Sequence, residues 1–348
     1  MTGQKSGTRL SGETLAAFIS GAWRSNPPPR TIDRETLDRV LPHILRSGSA
    51  GLVWWTIRGT PLENTSAGTE IRKVYRLQAI WARIHEHNLQ VAVQFMRDSG
   101  IEPVLAKGWA VARLYPAAGI RPYGDFDVCV GHHQYAKALE ILSAPGAPGP
   151  VDLHDGFREL PDDFESLLMR SERVDLGDTS FHVLSPEDHL RLLVIHMLSH
   201  GAWRPLWLCD VALFLESVAN VPAFDWKRCL TEDAWTSEWV VAGIALAHRV
   251  LGARLPDPVM EVTREALPEW LTDALFEQWG RSDDHYMRGP TAAELLKEGK
   301  MRQLVHSRWP EPIEATIRRH GRMNAMPRLP FQIAEAVSRA AKLILKKL

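Results

Sequence analysis

Cysteine is scarce in this chain of 348 residues, which contains three. Cys129, Cys209 and Cys229 are widely spaced and odd in number, which indicates neither a disulfide framework nor the close cluster of a structural zinc site. Free thiols are typical of a reducing compartment. We therefore expect a cytoplasmic protein.

Long runs of one charge and long apolar runs are also missing. The 41 Lys and Arg nearly balance the 42 Asp and Glu, and without a basic block the electrostatic pattern of a duplex nucleic-acid binder is missing. The first residues, MTGQKSGTRLSGE, have no apolar core of the signal-peptide type, and WVVAGIALAHRVLG is short and interrupted by His and Arg. We expect no duplex nucleic-acid partner and no membrane span.

Hydrophobic residues make up 45% of the chain, enough to bury a sizeable core. Apolar residues at three-to-four spacing predict helices over most of the sequence, including a long one from Ile71 to about Ser99. We predict a helical region over residues 1–99 that packs on the core, a strand-containing core over 100–184, and a helical domain over 185–348.

The stretch RPYGDFDV places Asp125 and Asp127 two residues apart on a predicted strand, so both side chains face the same side. Adjacent carboxylates repel each other unless a cation or strong donors compensate. Their oxygens suit Mg²⁺ or Mn²⁺, and two such ions about 3.5–4 Å apart can stabilise the attacking and leaving oxygens of phosphoryl chemistry. The Asp-x-Asp pattern also occurs in surface strands and Asx-turns, so the pair alone does not establish a metal site.

A strand, turn and helix are predicted just upstream. The apolar run IEPVLA ends at Lys107-Gly108, and the helical pattern WAVARLYP follows. Glycine lets a ligand approach the backbone, and the free N–H groups of a new helix bind phosphate. Lys107 adds a positive charge. An ordinary turn with a solvated lysine is the alternative.

A third carboxylate follows on another predicted strand, VDLH. Asp152 can complete a cluster of three acids and accept a proton from an incoming hydroxyl. Asp155, three residues further on, is predicted to face the opposite side of the strand.

The stretch KGWAVARLYPAAGIRPYGDFDVCV resembles the signature of an uncharacterised bacterial nucleotidyltransferase family in the polymerase-β superfamily. The resemblance continues through VDLH and LSPEDHLRLLVIHMLSHGAWRPLWLCDVAL, and so covers roughly the middle half of the chain. It implies an α+β fold in which a small mixed sheet is flanked by N-terminal helices and an all-helical C-terminal region.

The resemblance also implies site residues. Asp125, Asp127 and Asp152 stand where the family holds its catalytic metal ions, Mg²⁺ or Mn²⁺. The wider superfamily usually has Gly-Ser after its first strand, so the mode of triphosphate binding stays open here. The candidate nucleotide-binding residues are Lys107, Gly108, Trp109 and Arg121.

Two roles are open for Arg121. In the first role, its planar guanidinium binds the β- and γ-phosphates. In the second, Arg121 pairs with a carboxylate, and the metal ligands are among the candidate partners. Lys107 and Arg113 are similarly ambiguous.

In the helical region, His196 and His200 lie four residues apart and share a helix face. This spacing binds zinc when a third ligand is near, but packing histidines are the commoner case. Because Trp203, Arg204 and Asp210 follow closely, we expect this face to border the active cleft and to contact the base or the acceptor.

These features predict an enzyme that transfers a nucleotidyl group, AMP from ATP or another NTP, to a hydroxyl or phosphate of a small molecule or peptide and releases pyrophosphate. A non-catalytic nucleotide- or partner-binding protein of the same fold and a phosphoryl-transferring kinase are the alternatives. The acceptor, the preferred base and the oligomeric state are not encoded in a recognisable motif.

Overall fold

The structure is a computed structural model that describes residues 2–29, 32–219, 224–230, 234–264, 267–281 and 308–345. Within these ranges the chain forms fifteen α-helices and one five-stranded mixed sheet. The predicted α+β class, a small mixed sheet flanked by helices, is confirmed.

Helices fill the chain before the first strand. Asp33 and Thr65 cap two of them, because their side chains accept the backbone N–H groups of Thr36 at 2.7 Å and Gly68 at 3.0 Å. The long predicted helix therefore begins earlier than expected, at Ser66. These elements are α1 (Thr2–Ile19), α2 (Arg34–Arg46), α3 (Ala50–Ile57), a 3-10 helix (Pro61–Asn64) and α4 (Ser66–Asp98).

The sheet occupies the centre of the chain. Its elements are β1 (Val104–Ala106), α5 (Gly108–Ala112), β2 (Phe126–Val130), α6 (His132–Ser143), β3 (Val151–Asp155), α7 (Phe164–Arg170), β4 (Glu172–Leu176) and β5 (Thr179–Val183). The spatial order is β3-β2-β1-β5-β4, in which β1 is antiparallel to β2 and parallel to β5, and β3 is parallel to β2. The two strands predicted to carry the acidic residues are therefore neighbours.

Helices again follow the sheet. They are α8 (Pro186–Ser199), α9 (Pro205–Val218), α10 (Trp226–Leu230), α11 (Ala234–Leu251), α12 (Asp257–Thr263), α13 (Glu269–Gly280), α14 (Pro312–Arg318) and α15 (Leu329–Leu345). None of the helices in the described ranges combines the length and apolar content that a membrane crossing requires.

The largest hydrophobic core joins the N-terminal helices to the C-terminal ones. It includes Phe18 of α1, Leu208 of α9 and Leu275 of α13. The contact between α1 and α13 is close, since a Cβ atom on Gly280 would overlap the carbonyl oxygen of Thr8.

Strand β2 separates two smaller cores. Phe126 and Val128 pack with Leu89 of α4 on one face, whereas Cys129 packs with Leu192 of α8 on the other. Because side chains alternate along a strand, Asp127 projects on the α8 side. The predicted acidic site thus lies between the sheet and the helical region.

Candidate metal and nucleotide site

Two carboxylates and an imidazole form a group suited to a metal ion. Strand register places Asp127 directly beside Asp152, and His154 lies two residues further along β3 on the same face. The potential ligand atoms of these three residues lie within 4.8 Å of one another. His154 Nε2 is 3.3 Å from Asp127 Oδ1 and 3.4 Å from Asp152 Oδ2.

Asp125 lies one residue before β2 and is not part of this group of potential metal ligands, although the sequence predicted it on the strand beside Asp127. Partial desolvation, followed by repulsion from Asp127 and Asp152, raises the pKa of its carboxyl. The repulsion shows that Asp125 is close enough to Asp127 and Asp152 for their charges to interact, and a bound cation would relieve it.

Lys107 supplies the positive charge nearest to Asp127. Its Nζ lies 2.5 Å from Asp127 Oδ1, and both side chains are about 10% exposed. Burial raises the pKa of the Asp127 carboxyl, but the hydrogen bond from His154 and the charge of Lys107 outweigh it and hold the pKa below its ordinary value. Asp127 is therefore ionised at neutral pH.

The turn after β1 has an uncommon backbone. Lys107 has φ +46° and Gly108 has φ +25°, and a conformation of this kind costs about 1–3 kcal/mol for a residue with a side chain. A Cβ atom on Gly108 would lie 3.1 Å from the carbonyl oxygen of Asp125, so glycine lets the turn approach the acidic segment. Such strain at a site is typical of functional turns.

His189 of α8 holds this turn. Its buried Nε2 accepts the backbone N–H of Lys107 at 3.0 Å. Burial, followed by the charges of Arg113 and Arg121, lowers the pKa of His189 to about 3. A neutral ring is required, because only a neutral imidazole has a nitrogen that can accept the Lys107 N–H.

The low pKa of His189 predicts a pH effect on stability. Between pH 6.5 and about 3 the unfolded chain binds a proton at this residue and the native chain does not, so the free energy of unfolding decreases as the pH falls through this window. The contribution is at most about 1.4 kcal/mol per pH unit. We expect His189→Gln, whose side-chain oxygen can still accept the N–H, to weaken the pH dependence measured by urea unfolding. His87→Gln, on an exposed part of α4, should leave it unchanged.

Arg121 pairs with a buried carboxylate. Its Nη2 lies 2.8 Å from Asp210 Oδ2, and its Nε lies 3.2 Å from both carboxylate oxygens. The hydroxyl of Tyr115 donates to Asp210 Oδ1 at 2.9 Å. Of the two roles open for Arg121, the structure has the pairing with a carboxylate, and the partner is Asp210 and not a metal ligand.

A cavity of about 190 Å³ lies between the acidic residues and the start of α9. Its lining includes most of the predicted site, namely Lys107, Gly108, Arg121, Asp125, Asp127, Asp152, His196 and Arg204, together with Trp207. A second cavity of about 420 Å³, beside α4 and α5, shares Arg121 and Tyr123 with the first.

The remaining predicted residues lie outside the lining of the smaller cavity. The Trp109 ring packs edge-on against Phe181 in a hydrophobic core, at a centroid distance of 5.1 Å. His200 is exposed, and its Nδ1 donates to the carbonyl oxygen of His196 at 2.9 Å. Trp203 stacks edge-on against Trp207 at 5.6 Å.

His196 faces the cavity. Burial, followed by the charge of Lys107, lowers its pKa to about 3, so the ring is neutral. Its ring centroid lies 4.4 Å from that of His200, but within the described residues the pair is not part of a group of three potential metal ligands. The structure therefore gives no support for zinc at this pair.

The profile of a family described as "Uncharacterised nucleotidyltransferase" matches residues 34–149 and 150–252, which together exceed half of the chain. The chain belongs to this nucleotidyltransferase family. No curated protein and no solved structure matches it. The matched residues include the whole candidate site, from Lys107 to Asp210.

The donor set of the candidate site fits a divalent cation. Mg²⁺ binds oxygen ligands at about 2.0–2.1 Å, so opposite ligands are about 4 Å apart. Ligand atoms within 4.8 Å of one another reach that geometry with small side-chain movements. The two carboxylates suit Mg²⁺ or Mn²⁺, whereas the imidazole of His154 is a ligand more typical of Zn²⁺, Fe, Ni or Cu.

Neither His154 nor His189 was among the site residues predicted from the sequence. Alternation along VDLH could have identified His154, which shares a face with Asp152. His189 offers no local signal, because the backbone group that it accepts lies 82 residues away in sequence.

Proposed function

We propose that this protein transfers a nucleotidyl group, AMP from ATP in the simplest case, to a hydroxyl or phosphate of a small molecule or peptide and releases pyrophosphate. Family membership supports transfer in general. The observation that carries the proposal is the placement of Asp127 and Asp152 in register on adjacent strands, with Lys107-Gly108 against them in one cavity.

Asp125, Asp127 and Asp152 are the proposed metal ligands, and His154 lies where it can join or orient them. A bound divalent cation would supply neutralisation of the charge on the phosphates. Asp152 has a second proposed role. Its side chain is 54% exposed whereas that of Asp127 is 10% exposed, so Asp152 is better placed to take the proton of an incoming hydroxyl.

The turn after β1 is the proposed contact for the triphosphate. The backbone of Gly108 is accessible from the cavity, and the Lys107 ammonium lies beside it. Lys107 pairs with Asp127 in this structure, and we propose that it turns to a phosphate oxygen when a cation neutralises Asp127.

The neutral ring of His196 is the proposed contact to the base or the acceptor, because it faces the cavity from the helical side. We also propose a cytoplasmic location, since the three cysteines are free and buried.

Calorimetric titration with non-hydrolysable ATP and GTP analogues tests the proposal. We expect binding in the presence of Mg²⁺ and loss of binding when EDTA removes it, because the carboxylates repel the triphosphate without a cation. Failure to bind either nucleotide would favour the non-catalytic alternative. When hydrolysable ATP is used instead, release of ADP in place of pyrophosphate would identify a kinase.

A further inference from the structure

Arg204 lines the cavity of about 190 Å³ and has no ion-pair partner among the described residues. Within the described residues its guanidinium forms no ion pair, and its Nε is buried without a hydrogen-bond partner. Arg121, the other arginine in the lining, is neutralised by the buried Asp210. Asp210 and Asp125 act on Arg204 through space but form no ion pair with it, so a partly buried guanidinium without a direct counter-ion favours an anion.

The position of Arg204 at the start of a helix also favours an anion beside it. Arg204 is the N-cap of the fourteen-residue helix α9, and its side chain makes no capping bond. Caps are usually Ser, Thr, Asp or Asn, and the N-terminal end of a helix carries a partial positive charge that disfavours a cation. Burial, followed by the charge of Arg121, lowers the pKa of Arg204, and the charges of Asp210 and Asp125 offset only part of this effect. A negatively charged ligand relieves each of these effects.

The guanidinium is held in place without an anion. Its carbon lies 5.6 Å from the ring centroid of Trp203 and 5.7 Å from that of Trp207, within cation–π range. Gly48, in the turn between α2 and α3, leaves room for it, because a Cβ atom there would lie 3.0 Å from Arg204 Nη2. The charge is therefore preorganised at the cavity wall.

The size of the cavity indicates which part of a nucleotide meets Arg204. Its volume of about 190 Å³ is below the range of about 300–1,000 Å³ that is usual for small-molecule sites. A volume of this size suits phosphates and a cation better than a whole nucleotide. The polar lining combines carboxylates with Arg204, a set of charges that matches a metal-bound polyphosphate.

We propose that Arg204, at the start of α9, is the main protein contact for the β- and γ-phosphates, the part of the NTP that leaves as pyrophosphate. This inference rests on the proposed function. It gives Arg204 the role that the sequence offered to Arg121, and it defines a polyphosphate subsite formed by the helical region facing the metal ligands.

Calorimetry of the full-length chain with tripolyphosphate, a non-hydrolysable ATP analogue and AMP, each with Mg²⁺, tests the subsite. We expect Arg204→Ala to weaken tripolyphosphate and ATP-analogue binding by about 10- to 100-fold and to leave AMP affinity unchanged. Arg204→Lys should show an intermediate loss, because it keeps the charge and loses the bidentate geometry. Arg39→Ala, which removes an exposed positive charge of α2, should match the wild type.

Each outcome separates the subsite from the wider function. Unchanged ATP-analogue binding in Arg204→Ala, or an equal loss for AMP, overturns the inference and leaves the proposed function standing. Tripolyphosphate binding that needs Arg204, in a protein that binds no nucleotide, supports the subsite and removes the proposed function. Thermal melts verify folding, and Arg204→Gln, which retains most of the packing, replaces Ala in the same comparison if the Ala variant unfolds.

Discussion

Asp127→Asn is expected to abolish nucleotidyl transfer while the protein stays folded. The amide keeps the shape of the carboxylate but loses the charge that holds a cation, and metal stabilisation worth several kcal/mol corresponds to about a 10³-fold fall in turnover. The measurements are the rate of pyrophosphate release and Mg²⁺-dependent binding of an ATP analogue. Circular dichroism checks folding, because the variant leaves the buried Lys107 without its partner.

Two aspartates of strand β3 provide a second test of the metal ligands, because one variant should lose activity and the other serves as its control. Asp152 faces the metal group, whereas Asp155 lies on the opposite side and accepts a hydrogen bond from His132 at 2.8 Å. We expect Asp152→Asn to lose transfer and Asp155→Asn to retain it. Full turnover in Asp127→Asn, or an equal loss in both β3 variants, would contradict the assignment of the carboxylates.

Arg121→Met is expected to destabilise the protein by about 3–5 kcal/mol, because it leaves a buried carboxylate without its counter-charge. The side chain of Asp210 is fully buried, and that of Arg121 is 6% exposed. Replacing both partners, as in Arg121→Met/Asp210→Leu, removes the unpaired charge and should cost less than either single change. Urea unfolding of the four proteins gives the coupling energy through a double-mutant cycle.

An exposed ion pair serves as the comparison for this cycle. Glu35 and Arg39 lie four residues apart on α2, and Arg39 Nη2 is 3.4 Å from Glu35 Oε1. Such exposed pairs contribute about 0.5 kcal/mol or less to the free energy of unfolding. A similarly small coupling for Arg121 and Asp210 would contradict the structural role. A folded double variant that loses ATP-analogue affinity as Arg204→Ala does would show that Arg121 also binds phosphate.

Local pattern accounts for much of the site. Alternation along VDLH predicted that Asp152 and Asp155 face opposite sides of the strand, and the contact of Asp155 with His132 agrees with this. The Lys107-Gly108 break correctly predicted the change from strand to helix, although β1 is shorter than the apolar run and begins at Val104. These features depend on neighbouring residues, whose geometry repeats with a fixed period.

Contacts between distant segments required the structure. The partner of Arg121 lies 89 residues away, and that of the Lys107 N–H lies 82 residues away. Both depend on how α8 and α9 pack against the sheet, which no local period specifies. Among the described residues, Arg121 pairs with Asp210 whereas Arg204 forms no ion pair and has a buried Nε without a hydrogen-bond partner.

The sequence by itself therefore determined the α+β class, the acidic pair and the likeness to a nucleotidyltransferase, because each is written in a short stretch of chain. Tertiary structure alone decided that Asp127 and Asp152 lie in register, that His189 holds the strained turn, and that Arg121 pairs with Asp210. The physical reason is that the whole hydrophobic core sets strand register and helix packing. Ion pairs and hydrogen bonds between residues distant in sequence form only when that packing brings them together.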